Sequence, residues 1–369
     1  MKTPPQGGVF VFKFMKIVMI ADIHVGIPNR SKDTFWALEQ IKEYSHKNQI
    51  KNWILLGDLY HCRDSISVPD LQHTTEFFKR LKYDGYRIDS VVGNHDMHLK
   101  NSTEINSLKP LSDYINLYEN GETFKLGGQQ FAVLNFIQSE SEYMNELSRI
   151  EKQCEPCTVL LSHIGVKSSA LNACFLLKSW NFVDFNNSKF EQVYLGHYHY
   201  KQQVGKNVWF VGSPISYDHS DGYEHGFFVY DTITRTHEFV SIYYGQSDSS
   251  PPKHMTVDDD SLEKLEPIDV VGNVVRIALT KEHTTNQINE ISDRLLAMGA
   301  KSVSIMNLIS KEDEIKFKEA NDSAASVADL FKKFVENDTK GVKGLNIEYL
   351  HTINAEIMTE GDRQYLEKQ

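Results

Sequence analysis

Apolar residues in the first half of the chain follow two alternating patterns. Five short runs rich in Val, Ile and Leu are typical of buried strands, and apolar residues recur at helical spacing over 35–44 and 71–81. The second stripe follows Ser67, a favourable helix cap, and Pro69, which suits a first helical turn. Strands that alternate with helices in this way predict an α/β fold. The five predicted strands are 16–20, 52–56, 89–92, 158–161 and 192–195.

From residue 124 onwards the pattern changes, because predicted strands follow one another without intervening helical stripes. These strands are 131–136, 208–211, 227–230 and 239–244. A second set of strands needs a partner for its apolar face, so we expect a second sheet packed on the first. The sequence therefore predicts a four-layer α-β-β-α sandwich within the α/β class.

The remainder of the chain divides by composition into smaller parts. Residues 1–14 precede the first strand as an extension, and 15–245 form the predicted main domain. The segment 246–262 is rich in Ser, Pro and Asp and is expected to be a linker. Residues 263–309 contain a strand, a helix and a strand, which predicts a small β-α-β cap. Residues 310–369 form a charged, tethered tail with two amphipathic helical candidates.

Composition and charge limit the possible environments of the protein. The chain has 369 residues, of which 40% are hydrophobic and 24% charged, as in ordinary globular proteins. No run approaches the roughly 20 apolar residues of a membrane span, so no membrane association is expected. Four cysteines do not make a disulfide framework in a chain this long, which favours the reducing cytoplasm. The net charge of −11 suggests that any DNA binding is local.

Each of the five predicted strands leads into a possible metal ligand. Ligand sites in open α/β sheets lie at the carboxyl ends of strands, so these residues are expected to converge. Two aspartates, one asparagine and four histidines can hold two divalent ions. Mixed oxygen and nitrogen donors without a thiolate suit Mn²⁺, with Mg²⁺, Fe or Zn as alternatives. The candidate ligands are Asp22, His24, Asp58, Asn94, His163, His197 and His199.

The order of these motifs, D-x-H, G-D, G-N-H-D, a lone His and G-H-x-H, resembles the calcineurin-like metallophosphoesterase superfamily. Within it, the sequence Gly57-Asp58-Leu59-Tyr60-His61 and the later Gly212-Ser213-Pro214 resemble the SbcD-type nuclease subunit of the MRN and SbcCD complexes, including its phage recombination counterpart. The motifs that carry this resemblance span residues 15–231. The tail resembles the family only in its architecture.

The resemblance implies roles for individual residues. Asp58 would bridge two divalent ions, which would bind phosphate oxygens and activate a water. The resemblance favours Mn²⁺ as the metal. His95 would face the substrate and protonate the leaving oxygen, with Asp96 orienting its ring. His61 would place the phosphate or the terminal nucleotide, although a solvated surface histidine is the alternative. By the same analogy, one ion takes Asp22, His24 and His199, and the other takes Asn94, His163 and His197.

The resemblance also implies an activity and partners. These are 3′–5′ exonuclease and single-strand endonuclease activity on DNA, in a double-strand-break repair and recombination complex. The expected partners are a second copy of the chain and an SMC-like coiled-coil ATPase held by the tail. The location would be the cytoplasm, or the host cytoplasm for a phage protein. The alternatives are a small-molecule phosphodiesterase, a phosphoprotein phosphatase on the same scaffold, or a non-catalytic relative.

Overall fold

A computed structural model describes residues 15–307, except 100, 167–168, 173–174, 177–184, 186–187, 220, 222–223, 243–249 and 282. The predicted extension 1–14 and the tail 310–369 lie outside the described residues. Among the described residues, 15–277 and 286–304 belong to one compact unit, and 278–285 and 305–307 belong to a second. No helix in the described part of the chain is both long and apolar enough to cross a membrane.

The described residues contain strands, α-helices and one short 3₁₀ helix, Lys109–Leu111. The strands are β1 Lys16–Ile20, β2 Asn52–Leu56, β3 Arg87–Val91, β4 Met97–Leu99, β5 Ser102–Asn106, β6 Asn116–Leu117, β7 Glu122–Leu126, β8 Gln129–Leu134, β9 Val159–His163, β10 Ala170–Asn172, β11 Phe175–Leu176, β12 Gln192–Gly196, β13 Gln202–Val204, β14 Val208–Phe210, β15 Gly226–Asp231, β16 Thr236–Ser241, β17 His254–Asp258, β18 Val274–Leu279 and β19 Ser302–Asn307. The helices are α1 Ser31–Lys47, α2 Val68–Tyr83, α3 Glu140–Glu151, α4 Asp259–Leu262, α5 Pro267–Val270 and α6 Thr285–Ala297.

The first sheet has the strand order β16-β15-β1-β2-β3-β6. Strands β1, β2 and β3 run parallel, whereas β15 pairs with β1 in the antiparallel sense. Helices α1 and α2 cover one face, where Leu38 and Phe78 join Val18 and Trp53 in one buried cluster. The predicted start of α2 is confirmed, since the Ser67 hydroxyl accepts the N–H of residue 70.

The second sheet has the strand order β13-β14-β12-β9-β8-β7. Its strands β8, β9, β12 and β14 run parallel, and β7 and β13 lie antiparallel at the two edges. Helix α3 covers its outer face, with Tyr143 and Leu147 packed in a cluster with Leu160 and Val193. This sheet therefore has its own helical layer.

The inner faces of the two sheets meet in a third apolar cluster. Ile17 and Ile54 of the first sheet join Phe131, Leu161 and Tyr194 of the second sheet there, and all five are buried. The order of layers is thus helices, sheet, sheet and helix. The predicted α-β-β-α sandwich is confirmed.

Helix α3 was absent from the sequence prediction. The segment carries a recognisable start, because the Ser139 hydroxyl accepts the N–H of Glu142. Tyr143, Leu147 and Ile150 then recur at helical spacing and are all buried. This apolar stripe contains only three residues and is interrupted by many polar ones, so it is a weak helical signal in the sequence.

The structure also differs from the prediction between the main domain and the cap. Residues 254–262 were assigned to a linker, but they form β17 and α4. Strand β17 completes a three-stranded sheet of order β17-β18-β19, so the cap has a strand that its β-α-β pattern did not predict. Met255 and Val257 alternate with polar residues in β17, but this pattern is too short to stand out in a segment rich in Ser, Pro and Asp.

The interface between the two sheets contains a partly buried histidine, His237 of β16. Its Nδ1 lies 2.8 Å from the Tyr194 hydroxyl, and its ring stacks on Phe228 with centroids 4.3 Å apart. Burial, aided by the positive charge of Lys201, lowers the pKa of His237 to about 4. The neutral ring can therefore accept a hydrogen bond from Tyr194.

We predict that His237 makes the protein less stable in mild acid. Because its pKa falls from 6.5 to about 4 on folding, the unfolded chain binds the proton first, and stability is lost as the pH falls through that window. His237→Gln, which keeps an acceptor for Tyr194 but does not titrate, should reduce the loss between pH 7 and pH 5 by about 1 kcal/mol, after allowance for partial exposure. Urea unfolding at both pH values measures this.

The exposed His46 of α1 supplies the control, His46→Gln. The stability of the His46→Gln variant should depend on pH as that of the wild type does. Equal pH dependence of the wild type and His237→Gln would contradict the prediction.

Candidate metal centre

The seven predicted ligands meet at one edge of the sandwich. Asp22 and His24 follow β1, and Asp58 follows β2. Asn94 follows β3, His163 ends β9, and His197 and His199 follow β12. Because β1, β2 and β3 run parallel in one sheet and β9 and β12 in the other, their carboxyl ends face the same side. Five of the candidate ligands are buried, among them Asp22 and His163 with 0% exposure, and His197 and His199 are partly buried.

The first group of ligands consists of Asp22, His24 and His199. One ligand atom from each lies within 4.8 Å of the others. The Nε2 atoms of His24 and His199 are 3.0 Å apart, and His24 Nε2 is 3.8 Å from Asp58 Oδ2. Two imidazoles and two carboxylates therefore surround one position.

The second group consists of Asn94, His163 and His197. The Asn94 Oδ1 atom lies 2.9 Å from His163 Nε2 and 2.8 Å from His197 Nδ1. His163 donates its Nδ1–H to the Leu56 carbonyl at 2.7 Å, which leaves Nε2 facing the other ligands. Asp58 Oδ2 lies 3.3 Å from that Nε2, so the same carboxylate oxygen contacts both groups.

The backbone at the site adopts conformations that side chains rarely accept. Asp22, His24, Asp58 and His197 have φ values of 52°, 53°, 54° and 99°. Such conformations cost on the order of 1–3 kcal/mol each and persist where the surroundings hold them. Gly93 shows how close the loops approach, because a Cβ there would lie 2.2 Å from Asp58 Oδ1.

Asp96 has a different role from the one predicted. Its buried carboxylate accepts the backbone N–H groups of Asp58 at 2.8 Å, Leu59 at 3.0 Å and Gly93 at 2.9 Å. Both oxygens are occupied in this way, and the structure corrects the prediction that Asp96 orients the His95 ring. Asp96 instead ties the loop after β3 to the loop after β2.

The carbonyl of His61 takes the place predicted for Asp96. His95 donates its Nδ1–H to that carbonyl at 2.6 Å, and its backbone N–H donates to Asp58 Oδ1 at 2.8 Å. The His61 and His95 rings stack with centroids 5.7 Å apart, and the His24 ring lies 4.9 Å from His95. The structure thus places both predicted catalytic histidines beside the first group of ligands.

The electrostatics of the site favour bound positive charge. Burial alone would raise the pKa of Asp58, but His163 outweighs it and holds that pKa well below its usual range. Although burial opposes it, Asp58 and then Asp22 raise the pKa of His163 to about 9. Burial raises the pKa of Asp22 to about 6 against the pull of His163 and His199. Divalent cations would neutralise these carboxylates in place of the protons on the histidines.

Two of the candidate ligand histidines, His24 and His197, are held neutral. Burial and the positive charge of His163 lower the pKa of His197 to about 3, and burial lowers that of His24 well below its ordinary value. Neutral imidazoles are the form that ligates metals. The donor set of carboxylates, imidazoles and one carboxamide oxygen fits two divalent cations of the Mn²⁺ class. Binding would release the protons that the site histidines hold.

Asp221 is a site residue that the sequence did not reveal. It is 5% exposed, and its Oδ1 accepts the Nδ1–H of His199 at 3.0 Å. Its Oδ2 accepts the backbone N–H groups of Tyr217 at 2.7 Å and Asp218 at 3.1 Å. Burial alone would raise the pKa of Asp221, but its hydrogen bonds with His199 and the two N–H groups lower it. Burial alone would lower the pKa of His199, but its bond to Asp221 raises it to about 9. No motif spacing links the two residues.

We predict that Asp221→Asn weakens metal binding by about 10-fold to 100-fold, the usual effect of removing a carboxylate behind a ligand histidine. An amide cannot accept from His199 and from two backbone N–H groups at once, so the His199 ring loses its fixed orientation. Mn²⁺ titration calorimetry measures the effect. The control is Glu224→Gln, an exposed carboxylate paired with Lys201 at 2.6 Å. Equal Mn²⁺ affinity in both variants would show that Asp221 stabilises only its own loop, through the N–H groups of Tyr217 and Asp218.

Comparisons with known proteins agree with this geometry. The sequence profile of the calcineurin-like phosphoesterase family matches residues 15–245. The chain is 27% identical over 249 residues to "Exonuclease subunit 1" of Enterobacteria phage T4, a match that covers 61% of this chain and 67% of the relative.

Among solved structures, a glutamine-dependent NAD⁺ synthetase from Acinetobacter baumannii aligns at 11% identity with a TM-score of 0.31. That alignment covers 86% of this chain and 70% of the other, and a score this low says nothing about function. The family profile covers more than half of the chain, and its phosphoesterase chemistry suits the ligands found at the sheet edge. The chain is a member of the calcineurin-like phosphoesterase family of metal-binding hydrolases.

Proposed function

We propose that this protein is a two-metal-dependent DNA nuclease with 3′–5′ exonuclease and single-strand endonuclease activity. The observation that carries the proposal is His61, which lies with His95 beside the ligand groups without belonging to either. Its Nδ1 is buried and lacks a hydrogen-bond partner among the described residues, as does Nη1 of Arg63. A buried donor without a hydrogen bond costs free energy, and a phosphate or nucleotide of the substrate would supply the missing acceptor.

The same residues suggest how hydrolysis proceeds. Two divalent ions bound by the ligand groups would neutralise the phosphate and supply an activated water. His95 donates Nδ1–H to the His61 carbonyl, which leaves its Nε2 free to hold a proton for the leaving oxygen. The backbone N–H of His95 also fixes Asp58, so acid and carboxylate keep a constant separation. His61 would hold the nucleotide beside them.

The name of the phage T4 relative describes a subunit, which supports an assembly. We therefore propose an SMC-like coiled-coil ATPase and a second copy of this chain as partners, with Mn²⁺ as the metal. The complex would act in DNA repair and recombination in the cytoplasm, or the host cytoplasm for a phage protein. Co-purification with an ATPase subunit and sedimentation of the isolated chain test the two partners separately.

An activity assay tests the central proposal. Labelled duplex and single-stranded DNA are incubated with Mn²⁺ beside p-nitrophenyl phosphate and bis(p-nitrophenyl) phosphate. We expect DNA and the diester to be hydrolysed. Hydrolysis of the monoester alone would favour a phosphatase, and hydrolysis of the small diester alone would favour a small-molecule phosphodiesterase.

We predict that His61→Ser separates the two nuclease modes. If His61 seats a terminal nucleotide, exonuclease activity should fall by roughly 10-fold or more, while cleavage within single strands falls less. His73→Ser, at an exposed position on α2, is the control. Equal losses on both substrates would make His61 a general catalytic residue, and unchanged activity would make it an ordinary surface histidine.

A further inference from the structure

A cavity of about 590 Å³ lies beside the candidate metal centre. Its walls are the β4–β5 hairpin, the turn before β7, the segment after β8 and one side of α3. Cavities that bind small ligands measure about 300–1,000 Å³, so this one has room for a nucleoside. None of the seven candidate metal ligands lines it, and neither His61 nor His95 does so.

Phe136 connects the cavity to the metal centre. The half-buried Phe136 side chain lines the cavity, and its ring lies 5.9 Å from the ring of His197 and 6.4 Å from that of His163. Its backbone N–H donates to the Val92 carbonyl at 3.0 Å. Asn135 holds the same segment, since its Oδ1 accepts the Val92 N–H at 2.8 Å. The aromatic wall is therefore fixed relative to the second ligand group.

The charges in the cavity wall are paired. Arg149 donates its Nε–H to Glu146 at 2.7 Å and donates from Nη2 to the carbonyls of Asn120 and Gly121. Glu119 forms an ion pair with Lys109 at 3.1 Å. A wall with balanced charge does not favour a phosphate, but it accepts an uncharged polar heterocycle.

The wall combines apolar surfaces with hydrogen-bonding groups. Met97, Leu134, Phe136 and Ile137 supply the apolar part, and the side chains of exposed Asn101 and Asn120 lie at the rim. Nucleobases present one aromatic face and a polar edge, which match these two kinds of surface. The hairpin wall begins at Met97, two residues after His95, so the cavity and the catalytic loop belong to one continuous segment.

We propose that this cavity binds one unstacked nucleobase of the DNA strand, next to the phosphate that is cleaved. The proposal rests on the proposed nuclease function and names its substrate more closely. The base would contact Phe136, and the Phe136 contacts with His163 and His197 would set its distance from the ligand groups. Single-stranded DNA would then be preferred, because a base in a duplex must first leave its stack.

The test uses the full chain with Mn²⁺ and single-stranded oligonucleotides that carry one abasic site, moved stepwise along the strand. Wild-type kcat/KM should fall by about 10-fold when the abasic site occupies the position that the cavity reads. Ser102→Trp, which fills the cavity from the hairpin, should cleave intact DNA about 10-fold less efficiently, and the abasic site should cause no further loss. Ser102→Ala is the matched control and should behave as wild type.

Asn120→Trp, in the turn before β7, also fills the cavity and should give the same result if Ser102→Trp does not fold. Hydrolysis of bis(p-nitrophenyl) phosphate, which has no nucleobase, should be unchanged in both variants. The cavity proposal alone is overturned if the filled variants cleave intact DNA as wild type does, or if the abasic penalty persists in them. Hydrolysis of the small diester without any DNA cleavage by the wild type overturns the nuclease function as well.

Discussion

Replacing Asp58 with asparagine should abolish phosphodiester hydrolysis and lower the amount of bound metal. Asp58 Oδ2 lies 3.3 Å from His163 Nε2 and 3.8 Å from His24 Nε2, so this carboxylate oxygen contacts both ligand groups. An amide has a single oxygen and no charge, and it cannot bridge two cations. Charge stabilisation by bound metals is worth several kcal/mol, so activity should fall on the order of 1,000-fold.

Metal analysis after dialysis and Mn²⁺ titration measure the second part of this result. Asp58 is also the main reason that the pKa of His163 is raised, so Asp58→Asn should free a neutral His163 as well. The control is Asp64→Asn, an exposed carboxylate in the same loop. Asp58→Asn with two tightly bound ions would show that another group bridges them.

The convergence of the candidate ligands could be predicted because it depends on local sequence and on one general property of sheets. Each ligand stands directly after an apolar run, as His163 does at the end of β9 and His197 after β12. Parallel strands bring such positions to one edge whatever the rest of the fold contains. The two-sheet arrangement was predicted from strands without intervening helical stripes, although the structure places α3 between β8 and β9.

Residues that act through long-range hydrogen bonds could not be predicted. Asp96 is 38 residues from Asp58 in sequence, and Asp221 is 22 residues from His199. No local pattern states which backbone N–H groups a carboxylate will reach. The sequence suggested that Asp96 would orient the ring of the adjacent His95. In the folded chain its carboxylate instead accepts backbone N–H groups of the loop after β2, those of Asp58 and Leu59.

Local signals were also present without being decisive. Helix α3 has a capping serine and an apolar stripe, but the stripe is narrow among acidic and polar residues. Strand β17 alternates Met255 and Val257 with polar residues, but two apolar residues are too few to distinguish a strand from the polar linker around it. The left-handed backbone of Asp22 and Asp58 has no sequence signal at all, because it is imposed by the loops that surround it.

His95→Ala should remove turnover while leaving both metals bound. The backbone N–H that His95 donates to Asp58 survives the substitution, so the carboxylate keeps its position. The imidazole that would protonate the leaving oxygen is lost, and DNA cleavage should fall by roughly 100-fold to 10,000-fold. Bis(p-nitrophenyl) phosphate should lose less, because its leaving group departs without a proton. Metal content, measured beside both rates, should match that of the wild type.

The control for this prediction is His98→Ala. His98 is a half-exposed histidine on β4, and its Nδ1 lies 3.1 Å from Asp64 Oδ1. Its rates and its metal content should both be unchanged. The ring of His95 lies close enough to those of His24 and His61 for the three to form a possible metal-binding group. Loss of an ion in His95→Ala would therefore make His95 a ligand. Equal losses on DNA and on the activated diester would rule out its action as the acid for the leaving oxygen.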